Sequence, residues 1–224
     1  MSDIGLAFSA PFKDPDWGMK FTIGALVVLL CITGLGIFVL AGYFVQLTQR
    51  VMRQEQHPLP AWTDLGVKLI IGVKYAVVWI LYALPVILLA IPIAILTALV
   101  AVQEPTASMA IFTSMYFVVF ALIVVVYSVL VSLLTPIIAF RFAAREKISD
   151  ALDLVAIFRT FKANWEGTVV VALLAVVVQA LGAFGLIGLI VGVLFTMFYV
   201  YMVSAYLYGL LYCDYRKKGG EALV

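Results

Sequence analysis

Few residues in this chain could carry chemistry, and their types narrow it quickly. The single histidine, His57, stands between Gln56 and Pro58, with Glu55 and Asp64 flanking it. One histidine without further partners supplies neither a metal cluster nor a His-based triad within one chain, so His57 reads as a solvated loop residue. Cys31 and Cys213 lie in the first and last apolar runs, where they can face opposite ends of a bilayer, so neither a disulfide nor a redox site is expected. No glycine-rich loop leads into a Lys and a Ser or Thr, as a phosphate-binding loop would. No catalytic, cofactor-binding or metal-ligating residue is assigned, and an enzyme is not expected. The residues left are basic. Arg141, Arg145, Lys147, Arg159 and Lys162 share one polar connection, and they are the candidates for contact with anionic lipid headgroups or a membrane-protein partner. A net charge of only +2, with the basic residues spread along the chain, gives no support for nucleic-acid binding.

The elements that must position these residues follow from composition. Of the 224 residues, 66% are hydrophobic and 12% charged, where a soluble domain carries about a quarter. The mean hydropathy is +1.18. Charge-free stretches run over 21–49, 75–103, 105–140 and 167–213, each longer than the roughly 20 apolar residues a transmembrane helix needs. A soluble single domain, a secreted disulfide scaffold and a disordered chain are excluded. In lipid no water satisfies the backbone, so runs of this length are helices. They contain no ionisable side chain of the acidic or basic kind, which argues against a proton-coupled transporter and leaves an intramembrane hydrolase without a charged base.

The expected fold is all-α: a polytopic transmembrane bundle in a single membrane domain over 1–224. It has helices at about 21–50, 66–102, 109–140, 168–187 and 191–213 and an amphipathic helix at about 150–165. Before the first helix, Asp14 can cap a helix that begins at Pro15. No cleavable signal peptide is visible. Pro85 and Pro92 each remove a backbone bond and predict a kink. Ser149 is a candidate cap for the amphipathic helix, whose Ala151, Leu154, Val155, Phe158, Phe161 and Trp165 recur at helical spacing. Such a helix either lies along the membrane surface or packs against the connection between the first two helices. Gly188 and Gly192, and Ala205 and Gly209, are small-residue pairs that allow close helix approach within one chain. Tyr201, Tyr208 and Tyr215 recur every seventh residue and read as packing between helices.

Five crossings place all basic residues except Lys13 and Lys20 on one side. The positive-inside rule puts that side, with the C-terminus, in the cytoplasm. A second topology stays open. If the first helix breaks at Gly34-Leu35-Gly36 and returns as a hairpin, the N-terminus joins the same side and all 14 basic residues lie there.

Three patches carry a resemblance. The first is Pro11-Phe12-Lys13-Asp14-Pro15-Asp16-Trp17. The second is Gly42-Tyr43 with Arg50, then Leu59-Pro60-Ala61-Trp62-Thr63-Asp64-Leu65-Gly66 and Gly72-Val73-Lys74. The third is Gly188-Leu189-Ile190-Val191-Gly192 with Ala205-Tyr206-Leu207-Tyr208-Gly209. Together they resemble a family of uncharacterised prokaryotic membrane proteins, domain of unknown function 4013, over about residues 6–213. The chain departs from the family's Gly-Glu step before Leu-Pro-x-Trp, reading Gln54-Glu55-Gln56-His57-Pro58 there. The resemblance implies a multi-pass protein of a bacterial or archaeal cell (inner) membrane and brings no activity with it. More loosely, the helix layout is similar to the membrane portion of some bacterial glycerophosphodiesterases, and the sequence shows no catalytic domain of that kind.

The leading expectation is a non-enzymatic membrane protein that organises lipid or partner proteins at the cell membrane, without cofactors. The alternative is a permease or channel-like subunit for an uncharged or lipidic substrate, with a path beside Pro85 and Pro92.

Overall fold

The apolar runs are helices in the computed structural model, which describes residues 4–102, 106–183, 185 and 189–224. In chain order these are α1 (Ile4–Ser9), a 3-10 turn (Ala10–Lys13), α2 (Trp17–Leu30), α3 (Leu35–Met52), α4 (Leu65–Val102), α5 (Ala107–Arg145), α6 (Ile148–Leu152), α7 (Leu154–Ala163), α8 (Trp165–Ala183) and α9 (Leu189–Lys217). Among the described residues there is no strand. Five of these helices (α3, α4, α5, α8 and α9) are long and apolar enough to cross a membrane.

The helix expected over about 21–50 is two arms. The chain leaves α2 through a 3-10 turn, Cys31–Thr33, and reverses at Gly34, whose φ of +81° suits glycine. The start of α3 then lies against the end of α2. A Cβ on Gly36 would meet the backbone of Val27, Leu30 and Cys31. At the other end the arms meet again, because Lys20 Nζ (3.1 Å) and Arg50 Nη1 (3.5 Å) both donate to the Leu59 carbonyl. The α2 arm has 14 residues and α3 has 18, or about 21 and 27 Å at 1.5 Å per residue. Asp14 does not cap a helix beginning at Pro15, since α2 starts at Trp17. Its carboxylate instead accepts from the Asp16 amide at 3.0 Å and pairs with Lys20 at 2.8 Å. The buried acid thus finds its counter-charge one helical turn into α2.

Internal contacts divide the chain into two units, Met1–Val78 with Leu133–Val224, and Trp79–Ser132. In the first unit, α3 packs on α2 and α9 along small residues. A Cβ on Gly42 would fall on the Lys68 backbone, and one on Gly72 would fall on that of Phe38. These two glycines therefore set how closely α3 and α4 cross. Gly209 likewise faces Val51 and the Thr48 carbonyl, and Thr48 Oγ1 donates to Phe44 (2.9 Å) and Ala205 (3.3 Å) carbonyls. The Ala205–Gly209 pair therefore serves a contact within the chain. Gly188, half of the other pair, lies outside the described residues. The spaced tyrosines pack as expected: Tyr201 and Tyr208 edge onto Phe44, and Tyr215 faces Phe140.

The second unit joins the C-terminal part of α4 to the N-terminal part of α5. Tyr127 Oη donates to the Tyr82 carbonyl at 2.5 Å and Tyr116 Oη to that of Leu89 at 3.3 Å. The helix runs unbroken through Pro85 and Pro92. Thr97 and Thr113 hydroxyls return to carbonyls four residues back, the usual solution where no water is at hand. In the most apolar windows of α4 and α5 only 6% and 0% of residues are buried. Most described residues of this unit are exposed and the rest half-buried, so much of its apolar surface faces outward.

Candidate functional site

The five basic candidates fall into separate settings. Arg141 is buried at the end of α5, where its Nε donates to the Asp150 carbonyl at 3.1 Å. Arg145, half-exposed, lies 3.6 Å from the Asp150 carboxylate. Together they pin α6 against the end of α5, so both have structural work within the chain. Lys147 is exposed just before α6. Arg159 and Lys162 come together on α7, around a shallow concavity of about 470 Å³ lined also by Leu154, Val155 and Phe158.

The amphipathic helix expected over 150–165 is two helices, and Ser149 does not cap it. The break falls at Asp153, whose carboxylate accepts from the Ala156 amide at 3.0 Å and caps α7. A cap of this kind contributes about 1 kcal/mol. α7 buries Ile157 and Thr160. It exposes part of the stripe read from the sequence: Leu154 is 54% exposed, Val155 71% and Phe158 50%, whereas Phe161 is half-buried and Ala151, on α6, is buried. That stripe does not pack against the connection between the first two helices. With Trp165, also exposed, it forms an apolar strip beside two cations.

A clamp holds α7 in place. Asn164, buried between α7 and α8, donates from Nδ2 to Asp214 Oδ2 at 3.0 Å and accepts from Lys218 Nζ at 2.6 Å. Lys218 also lies 3.4 Å from Asp214. The end of α9 is thereby tied to the α7–α8 junction.

A second polar feature escaped the sequence reading. The end of α3 and the start of α4 enclose a concavity of about 230 Å³ lined by Gln46, Gln49, Arg50, Arg53 and Lys68, with Glu55 and Asp64 also at its wall. Lys68 is 2% exposed. The signal was present: positions 46, 49, 50 and 53 form a polar stripe at helical spacing, and 64 and 68 another. Read one helix at a time, Lys68 looked only like a snorkelling lysine.

Close by, Tyr43 stacks on Trp62 with ring centroids 4.4 Å apart, and Trp62 Nε1 donates to the Lys20 carbonyl at 2.9 Å. Among the described residues the Tyr43 hydroxyl is buried without a hydrogen-bond partner. A buried unpaired hydroxyl costs about 1–3 kcal/mol. Tyr43→Phe keeps the stack and removes that group, so its thermal unfolding midpoint in detergent should equal or exceed that of the wild type. A clear fall would mean that a water satisfies the hydroxyl.

A family model described as "Protein of unknown function (DUF4013)" matches residues 25–196. The match takes in Gly42-Tyr43, Leu59–Gly66, Gly72–Lys74 and Gly188–Gly192, and it leaves the Pro11–Trp17 and Ala205–Gly209 patches outside. No curated protein and no solved structure matches the chain.

Proposed function

The chain belongs to the DUF4013 family, a family of unknown function, and from that premise we propose that it is a non-enzymatic, multi-pass cell-membrane protein that gathers anionic lipid at its basic face. The observation that carries this reading is α7, which sets the exposed Leu154, Val155 and Phe158 beside Arg159 and Lys162. An apolar strip flanked by cations is the pattern of a helix lying in the interface of an anionic membrane. The outward apolar surface of α4 and α5 supports the membrane setting, because apolar patches of that extent are rare on proteins surrounded by water. The non-enzymatic part rests on the sequence, with its single histidine and its charge-free apolar runs.

The return of α3 alongside α2 supports the second topology, in which Lys13 and Lys20 join the other basic residues on the cytoplasmic side with both termini. Single cysteines placed at Gly5 or Ser9, with Cys31 and Cys213 replaced by serine, should resist an impermeant thiol reagent in intact cells. Labelling from outside would refute this topology.

The lipid reading is tested by Arg159→Gln with Lys162→Gln, and separately by Phe158→Ser. Arg141 is left alone, because its loss would disturb α6. Each variant should lose enrichment of anionic phospholipid in the purified protein while keeping its thermal stability. Unchanged lipid enrichment, with an altered complex size, would transfer the face to a protein partner.

A further inference from the structure

We propose that the concavity between the end of α3 and the start of α4 binds a phosphate-ester anion, that of a phospholipid headgroup, through Lys68 and Arg53 with the amides of Gln46 and Gln49. It rests on the membrane reading above but not on α7.

Charge arrangement is the first reason. Lys68 is 2% exposed and lines the concavity, and among the described residues no hydrogen bond or ion pair is formed by its ammonium. Taking an ammonium out of water is costly unless a counter-charge meets it. The acids at the wall offset part of that cost, since Asp64, one turn before Lys68, acts on its ammonium through its charge. Glu55 lies 3.8 Å from Arg50, and the Asp64 carboxylate accepts from the Thr63 hydroxyl at 3.3 Å. Arg50 also donates to the Leu59 carbonyl at 3.5 Å. Three cations, Arg50, Arg53 and Lys68, still face two carboxylates, and Gln46 and Gln49 add neutral donors. The lining therefore carries an excess of positive charge, which favours an anion.

Position is the second reason. The span of α3 ends at Met52 and that of α4 begins at Leu65, so Gln49 and Lys68 each lie within about one turn of a span's end. That is the depth at which a bilayer carries its phosphates. A soluble phosphate would use the same donors but would not require that depth.

The test is native mass spectrometry of the full chain released from phosphatidylcholine nanodiscs doped with phosphatidylglycerol. The wild type should retain phosphatidylglycerol selectively. Lys68→Gln and Arg53→Gln should each reduce that retention about tenfold, the value of one charge-assisted hydrogen bond, and Asp64→Asn should increase it. Arg53 is exposed, so its variant keeps the test valid where a Lys68 variant fails to fold. Inorganic phosphate added to delipidated protein separates the sources: thermal stabilisation by phosphate without retained lipid would overturn the lipid assignment and leave a soluble phosphate ester. Equal retention by the wild type, Lys68→Gln, Arg53→Gln and Asp64→Asn would overturn the site. Loss confined to Arg159→Gln with Lys162→Gln would do the same while sparing the proposed function.

Discussion

Gly72→Leu should abolish recovery of a monodisperse protein, or lower its stability by about 3 kcal/mol or more. A Cβ at Gly72 already falls on the Phe38 carbonyl, and there is no flexible side chain there to move aside. The same holds for Gly42 against the Lys68 backbone. Relief requires α3 and α4 to separate, and that would open the contacts of Tyr43 with Trp62 and of Phe44 with Tyr75. Because both glycines report one crossing, the double variant should cost less than the two single variants combined: helices already parted by one side chain accommodate the other. Gly66→Ala is the control. Nothing lies within 4 Å of a Cβ at Gly66, and α4 should gain about 0.4–1 kcal/mol from the stiffer residue. Thermal unfolding in detergent, followed by circular dichroism, measures all four. A Gly72→Leu protein as stable as the wild type would mean that the two helices do not touch.

That glycine crossing also shows what the sequence could and could not reveal. The apolar runs were legible because each is long enough to demand a helix whatever its neighbours are: α4, α5 and α9 begin and end within about five residues of the expected positions, α8 begins three residues early, and its expected end at 187 lies outside the described residues. Gly34-Leu35-Gly36 was legible as a weak point. Whether it bends or breaks was not, because the outcome depends on distant groups: the Leu59 carbonyl that draws Lys20 and Arg50 to one end, and the ring of Trp62 on Tyr43. The period of the amphipathic stretch was readable, but the direction of its apolar stripe was not. Periodicity says which residues share a face, and only the burial of Ile157 and Thr160 says that the other face turns outward. The Lys68 concavity is harder still, since two polar stripes on different helices mean little until Gly42 and Gly72 bring those helices together.

Asn164→Ala should free α7 from the end of α9. Its amide makes two hydrogen bonds to charged groups, Asp214 at 3.0 Å and Lys218 at 2.6 Å. Bonds to ions contribute about 1.5–3 kcal/mol each. The loss should nevertheless stop near 3 kcal/mol, because Asp214 and Lys218 keep each other at 3.4 Å and are not left as isolated charges. Asn164 sits where α7 ends and α8 begins, and its carbonyl accepts from both the Thr168 amide (3.0 Å) and hydroxyl (2.9 Å). Alanine keeps those backbone bonds, so α8 should stay intact while α7 loosens. Trypsin should then cut faster after Arg159 and Lys162, and amide exchange should rise over 154–163 but not over 168–180. Unchanged protection of α7 would show that Ile157 and Thr160 alone hold it. The distinction bears on the proposed role. A tethered α7 presents its cations at a fixed depth and in fixed register with the rest of the basic face. A loosened one can still enter the interface, but it pays the entropy of finding that depth each time. Asn164→Ala should therefore weaken anionic-lipid enrichment less than Arg159→Gln with Lys162→Gln does, and an equal or larger loss would mean that orientation outweighs charge at this surface.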